Sequence, residues 1–104
     1  MSYTRVVPAG LIPVGLQKMT LANSTAIAVN STIQTARILY ISVQTQAARM
    51  RDDGTDPALE TGLRLPANLL PFVHDGYNGT SVLKFQRSTG TSVVTILGYK
   101  RVGD

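Results

Sequence analysis

The residues best equipped for chemistry lie just past the middle of the chain, in Arg51-Asp52-Asp53-Gly54-Thr55-Asp56-Pro57. This run holds three of the six acidic residues, with Glu60 close behind. Carboxylates grouped around a glycine can ligate a hard cation such as calcium, because carboxylate oxygens suit that ion and glycine lets the chain turn sharply. The spacing of Asp52, Asp53 and Asp56 nevertheless departs from the twelve-residue calcium loop, which sets acids at alternate positions before its glycine and a glutamate near its end. Calcium here is the weaker reading. The stronger one is structural: Asp-Gly forms turns, aspartate side chains accept from nearby backbone N–H groups, and Arg49, Arg51 and Arg64 are placed to pair with the acids. The corner then comprises Arg49, Arg51, Asp52, Asp53, Gly54, Pro57, Gly62 and Arg64, acting as a clasp.

His74 is the only histidine, and it stands beside Asp75. A serine, His74 and Asp75 make a triad on paper, but neighbours on a strand point to opposite faces, so Asp75 is badly placed to orient His74. The chain has no nucleophile elbow and no glycine group leading into a helix to cradle phosphate. With one histidine and no cysteine, neither a zinc site nor a disulfide framework is expected. The acids also crowd one loop instead of flanking a cleft, as glycoside hydrolysis requires. No catalytic residue and no cofactor is assigned, and the expectation is a non-enzymatic protein.

The elements that must hold this corner are strands. Residues 36–44 form the strongest, rich in β-branched, aliphatic and aromatic side chains without a breaker. It is expected to be central, with Leu39, Ile41 and Val43 on one face and Ile38, Tyr40 and Ser42 on the other. Shorter strands are expected at about 16–21, 26–33, 47–51, 63–65 and 69–74, and a closing hairpin at about 82–87 and 93–97. Gly62, Pro66, Pro71, Gly76 and Gly79 leave no room for a helix of ordinary length after the corner. The expected fold is all-β, a single-domain β-sandwich or jelly roll of seven to eight strands over 16–104, preceded by an extended arm at 1–15. Pro8 and Pro13 suit an arm lying across another surface, and Tyr3, Val6, Val7, Leu11 and Ile12 are its candidate interface residues.

Composition narrows the class of partner. Among 104 residues 43% are hydrophobic and only 15% charged, against about 25% charged in an ordinary soluble domain. So few charges suggest that part of the exterior is covered by other protein. The net charge of +4 is diffuse, with no three basic residues adjoining, which argues against nucleic acid as a partner. No apolar run is long enough for a membrane helix and no export signal is recognisable, so a soluble, non-membrane protein is expected.

The order of an apolar strand, then RDDGTDP, then Thr61-Gly62-Leu63-Arg64-Leu65, then a strand around Leu83-Lys84-Phe85 and a final hairpin resembles small virion proteins of tailed bacteriophages and prophages. The resemblance covers about residues 36–99 and is carried by the corner; the segment at 20–35 and the arm match nothing in that pattern. It implies a non-enzymatic β-sandwich made in the host bacterial cytoplasm and residing on the capsid surface of the virion. There it would act as a decoration or cement protein, a dimer or trimer bound to the major capsid protein. Two alternatives stay open: a tail, fibre or head-to-tail component, and a glycan-binding β-sandwich module.

Overall fold

Strict alternation of large apolar side chains builds the domain around two strands, β3 (Ile38–Gln44) and β8 (Ser92–Arg101) in the computed structural model. The residues described are 10–23, 25–53, 55–57, 62–75, 83–88 and 90–102. The other strands are β1 (Leu11–Leu21), β2 (Ile27–Ala28), β4 (Ala48–Arg51), β5 (Leu63–Leu65), β6 (Phe72–Asp75) and β7 (Lys84–Arg87). They form two four-stranded sheets, ordered β1-β8-β3-β6 and β2-β7-β4-β5, with every pairing antiparallel. The expected all-β sandwich is what the chain forms. Leu39, Ile41 and Val43 of β3 and Val94 and Ile96 of β8 point between the sheets, where Ala48, Leu65 and Phe85 close the core from the other side. Each fully buried side chain of this kind contributes roughly 1.5–3 kcal/mol.

The chain changes sheet at almost every connection. Among the described strands only β4 and β5 follow each other within one sheet, and the acidic corner is the link between them. The closing hairpin expected at 82–97 is therefore corrected. β7 pairs with β2 and β4, whereas β8 pairs with β1 and β3. Gly90, in the left-handed region at φ 63°, carries the chain from one sheet to the other, and Ser88 is tied back to the β4 side by its N–H on the Ala47 carbonyl. A turn sequence specifies a reversal; which sheet receives the second strand is decided by the long complementary edges of β1 and β3.

Two boundaries also move. β1 begins at Leu11, not near 16, so the segment from Leu11 to Gly15, expected as the end of an arm, is already in the sheet. Pro13 is accommodated because β1 is an edge strand, and a register shift between Pro13 and Gly15 bends it there. The strand expected at 26–33 shortens to β2, and the chain then forms a four-residue helix, α1 (Ser31–Gln34). Asn30 starts it, its side chain accepting from the Ile33 N–H at 2.9 Å. The helix sits on a floor made by two glycines that face each other across β1 and β8. A Cβ on Gly15 would lie 2.8 Å from Thr32 Cγ2, and one on Gly98 would lie 2.9 Å from Ala36 Cβ. That close approach brings Ile33 fully into the core.

Gly98→Ala is therefore expected to destabilise the domain by about 1–3 kcal/mol, the usual cost of forcing a methyl into a packed site. Leu16→Ala, on the exposed side of the same sheet, is expected to change stability by less than about 0.5 kcal/mol. Urea denaturation of the two variants checks the contrast.

Candidate functional site

The connection from β4 to β5 gathers the acidic residues, and the geometry disperses their carboxylates. Arg51 grips Asp53 side-on, its Nε donating to Oδ1 at 3.1 Å and its Nη2 to Oδ2, while the Thr55 N–H also donates to Oδ1 at 3.1 Å. Asp56 takes Lys84 from β7 at 3.0 Å. Asp52 lies 3.8 Å from His74 Nε2 on β6, across the gap between the two sheets. Three aspartates thus turn toward three basic groups on three strands. Among the described residues no group of three or more His, Cys, Asp or Glu side chains converges as a metal site. Asp75 points the other way from His74 and binds Arg101 at 2.9 and 3.2 Å, as strand alternation requires.

The clasp itself is built from Arg49, Pro57 and Gly62. Pro57 is fully buried. A Cβ on Gly62 would sit 2.9 Å from the Pro57 Cβ and 3.0 Å from the Arg49 Cβ. Arg49 lies over that glycine and donates from Nη1 to its carbonyl at 3.1 Å. Of the three arginines expected to pair with the acids, only Arg51 pairs with a described carboxylate. Arg49 binds backbone, and Arg64 pairs with no described carboxylate; both stand on the outer face of the second sheet, directly opposite one another across β4 and β5. Lys84 is the partner that the sequence reading missed, because its approach to Asp56 depends on β7 lying beside β4. Gly54 and the arm residues Tyr3, Val6 and Val7 lie outside the described residues.

A shallow pocket of about 190 Å³ opens at this corner, lined by Met50, Arg51, Asp52, Asp53 and Leu63. Met50 and Leu63, cross-strand partners, supply its apolar wall. Its charged wall is already occupied, since Arg51 and Asp53 neutralise each other. The hydrogen bond from Arg51, followed by that from the Thr55 N–H, lowers the Asp53 carboxyl from 3.8 to about 2, and the same bond raises the Arg51 pKa. A carboxylate held this way serves as a strut and not as a proton acceptor near neutral pH.

A second surface emerges only from the fold. On the outer face of the first sheet, Leu16, Leu97, Tyr40 and Val73 stand opposite one another in a row that crosses all four strands. Leu16 is 58% and Val73 57% exposed at the two ends of the row. The next row is Pro13, Tyr99, Ile38 and Asp75, and Tyr40 meets Tyr99 edge-on with ring centroids 5.4 Å apart. The arm candidates Leu11 and Ile12 pair with Arg101 and Lys100 at one end of this sheet. At the opposite end the loop before β6 presents Leu69 and Leu70, 60% and 87% exposed. Asn68 fixes that loop in the left-handed region at φ 62°, its N–H donating to the Val43 carbonyl at 2.8 Å and its Oδ1 accepting from the Thr45 N–H at 3.3 Å. The signal for this face was present in the sequence, in the apolar residues on both sides of residues 38–44, but its continuity across four strands needed the register.

Comparison with family models, with curated proteins and with solved structures finds no match for this chain.

The depressed Asp53 pKa has a defined sign. Its contribution to folding is fully present above the ordinary carboxyl pKa near 3.8 and is lost as the pH falls through about 2. NMR titration should give Asp53 a carboxyl midpoint well below the ordinary 3.8, and Asp53→Asn should reduce the loss of stability between about pH 4 and pH 2. Gly62→Ala should destabilise by about 1–3 kcal/mol, because both atoms in its way belong to packed side chains; thermal denaturation measures it.

Proposed function

We propose that this chain is a non-enzymatic structural protein of a phage virion, a decoration or cement protein that binds the major capsid protein and neighbouring copies on the capsid surface. The observation that carries the reading is the apolar row Leu16, Leu97, Tyr40 and Val73 on an outward sheet face. A monomer in water gains nothing from a continuous apolar row across a whole sheet, whereas a protein interface buries such a row and draws its affinity from it. Tyrosine and leucine on rigid strands lose little conformational freedom on binding, which suits a contact that must hold. The low charge content and the corner's engagement in local struts, with Asp53 held by Arg51 and Asp56 by Lys84, favour the same reading.

The test uses purified protein and expanded, undecorated phage heads. Co-sedimentation should show saturable binding at a copy number in the hundreds, as a shell protein requires. Leu16→Asp combined with Val73→Asp should keep the fold, since both positions are exposed, yet weaken binding by roughly a hundredfold, because burying a carboxylate without a partner costs about 3 kcal/mol or more. Failure of the wild-type protein to bind heads, or association with isolated tails instead, would defeat the proposal. A folded double variant that binds as tightly as wild type would also defeat it.

A further inference from the structure

The outer face of the second sheet carries a charge pattern that the fold leaves unbalanced. Arg49 on β4 stands directly opposite Arg64 on β5 and Gln86 on β7. Opposed residues of an antiparallel pair bring their Cβ atoms to about 5 Å, and like charges set there repel. Elsewhere on this face the same situation is relieved: Arg51 has Asp53 and Lys84 has Asp56. Among the described residues no carboxylate pairs with Arg49 or Arg64. Arg49 is moreover partly desolvated, its Nε buried without a hydrogen-bond partner and its Nη1 held by the Gly62 carbonyl. One guanidinium is thus fixed and the other, on an edge strand, is exposed.

We infer that the Arg49 and Arg64 pair is a recognition site for a carboxylate on the acidic surface of another protein. The exposed Arg64 guanidinium presents a planar fork that matches a carboxylate, and Arg49, with its Nη1 on the Gly62 carbonyl and its Nε buried, adds a fixed positive charge beside it. The neighbouring charges select the source of the anion. Asp52, Asp53 and Asp56 flank the pair on the connection between the same two strands, so a stiff polyanion such as a DNA duplex, whose phosphates cannot swing clear, meets repulsion within a few residues of the arginines, whereas a short flexible peptide can offer the pair a single carboxylate. A protein surface alternates its charges and fits this pattern. A second copy of this chain is a poor source, because its described aspartates are already engaged with Arg51, His74, Lys84 and Arg101. The site lies on the sheet opposite the apolar row, and its existence does not depend on the virion reading.

The experiment titrates the full chain, labelled with ¹⁵N, with a hexaglutamate peptide and in parallel with inorganic phosphate and a short DNA duplex. Hexaglutamate should shift the resonances of Gly62, Arg64 and Gln86 and of the Arg49 side chain in a saturable way, and Arg64→Gln should weaken this binding by roughly tenfold or more. Arg64→Gln should also leave the melting temperature unchanged or raise it, because it removes a repulsion. Absence of shifts at these residues overturns the inference, as do equal shifts in Arg64→Gln. Tighter binding of phosphate or DNA than of hexaglutamate overturns the assignment to a protein carboxylate, and a lower melting temperature in Arg64→Gln would make the residue structural instead.

Discussion

The pleat of β8 sets the terms for the rest of the molecule. Along a ten-residue strand the side chains alternate without interruption, so Ser92, Val94, Ile96 and Gly98 must face one way and Val93, Thr95, Leu97 and Tyr99 the other. β1 and β3 hydrogen-bond to its two edges along most of its length and inherit the same division. One face is consumed by the second sheet, with Phe85 and Leu65 against Val94 and Ile96 in the core. The other face is apolar in the rows Leu16, Leu97, Tyr40, Val73 and Pro13, Tyr99, Ile38 and polar in the rows Lys18, Thr95, Ser42 and Thr20, Val93, Gln44, so one half of this sheet offers a second apolar surface.

The corner follows a different logic, with charges used locally. In a chain that is only 15% charged, four of the six acids fall between Asp52 and Glu60, and the described aspartates among them each meet a basic group from a different strand. The ion pairs are exposed and individually weak, but they share one loop with a buried proline and a glycine that no side chain can replace without moving Arg49 or Pro57. Among the described strands, the clasp joins the only two consecutive ones that lie in one sheet. It therefore fixes β5, the edge on which Arg64 stands, and couples the geometry of the acidic loop to that of the arginine pair.

Fold class was legible because it depends on short-range alternation. Residues 36–44, 47–51 and 63–65 read as strands from side-chain type alone, close to the strands found, and the division of Leu39, Ile41 and Val43 from Ile38, Tyr40 and Ser42 followed from the pleat. What depends on strand order was not legible. The segments now forming β7 and β8 have the local signature of a hairpin, and nothing in Ser88 or Gly90 says that the turn crosses between sheets. The same ignorance hid Lys84 from Asp56 and put Arg64 beside the acids instead of opposite Arg49. Helix α1 was missed because the β-branched Thr32 and Ile33 favour strands by propensity, and the Asn30 cap together with the glycine floor under Ile33 overrides that preference.

The chain contains no cysteine, so single cysteines report accessibility without background. The most direct measurement is the alkylation rate of Leu16→Cys and Val73→Cys, on the outer face of the first sheet, against Ala28→Cys on the outer face of the second, each with and without expanded phage heads. If the apolar row is the docking face, heads will protect the cysteines at 16 and 73 and leave the one at 28 reactive. Equal reactivity at 16 and 73 in the presence of saturating heads, or protection confined to 28, would contradict it.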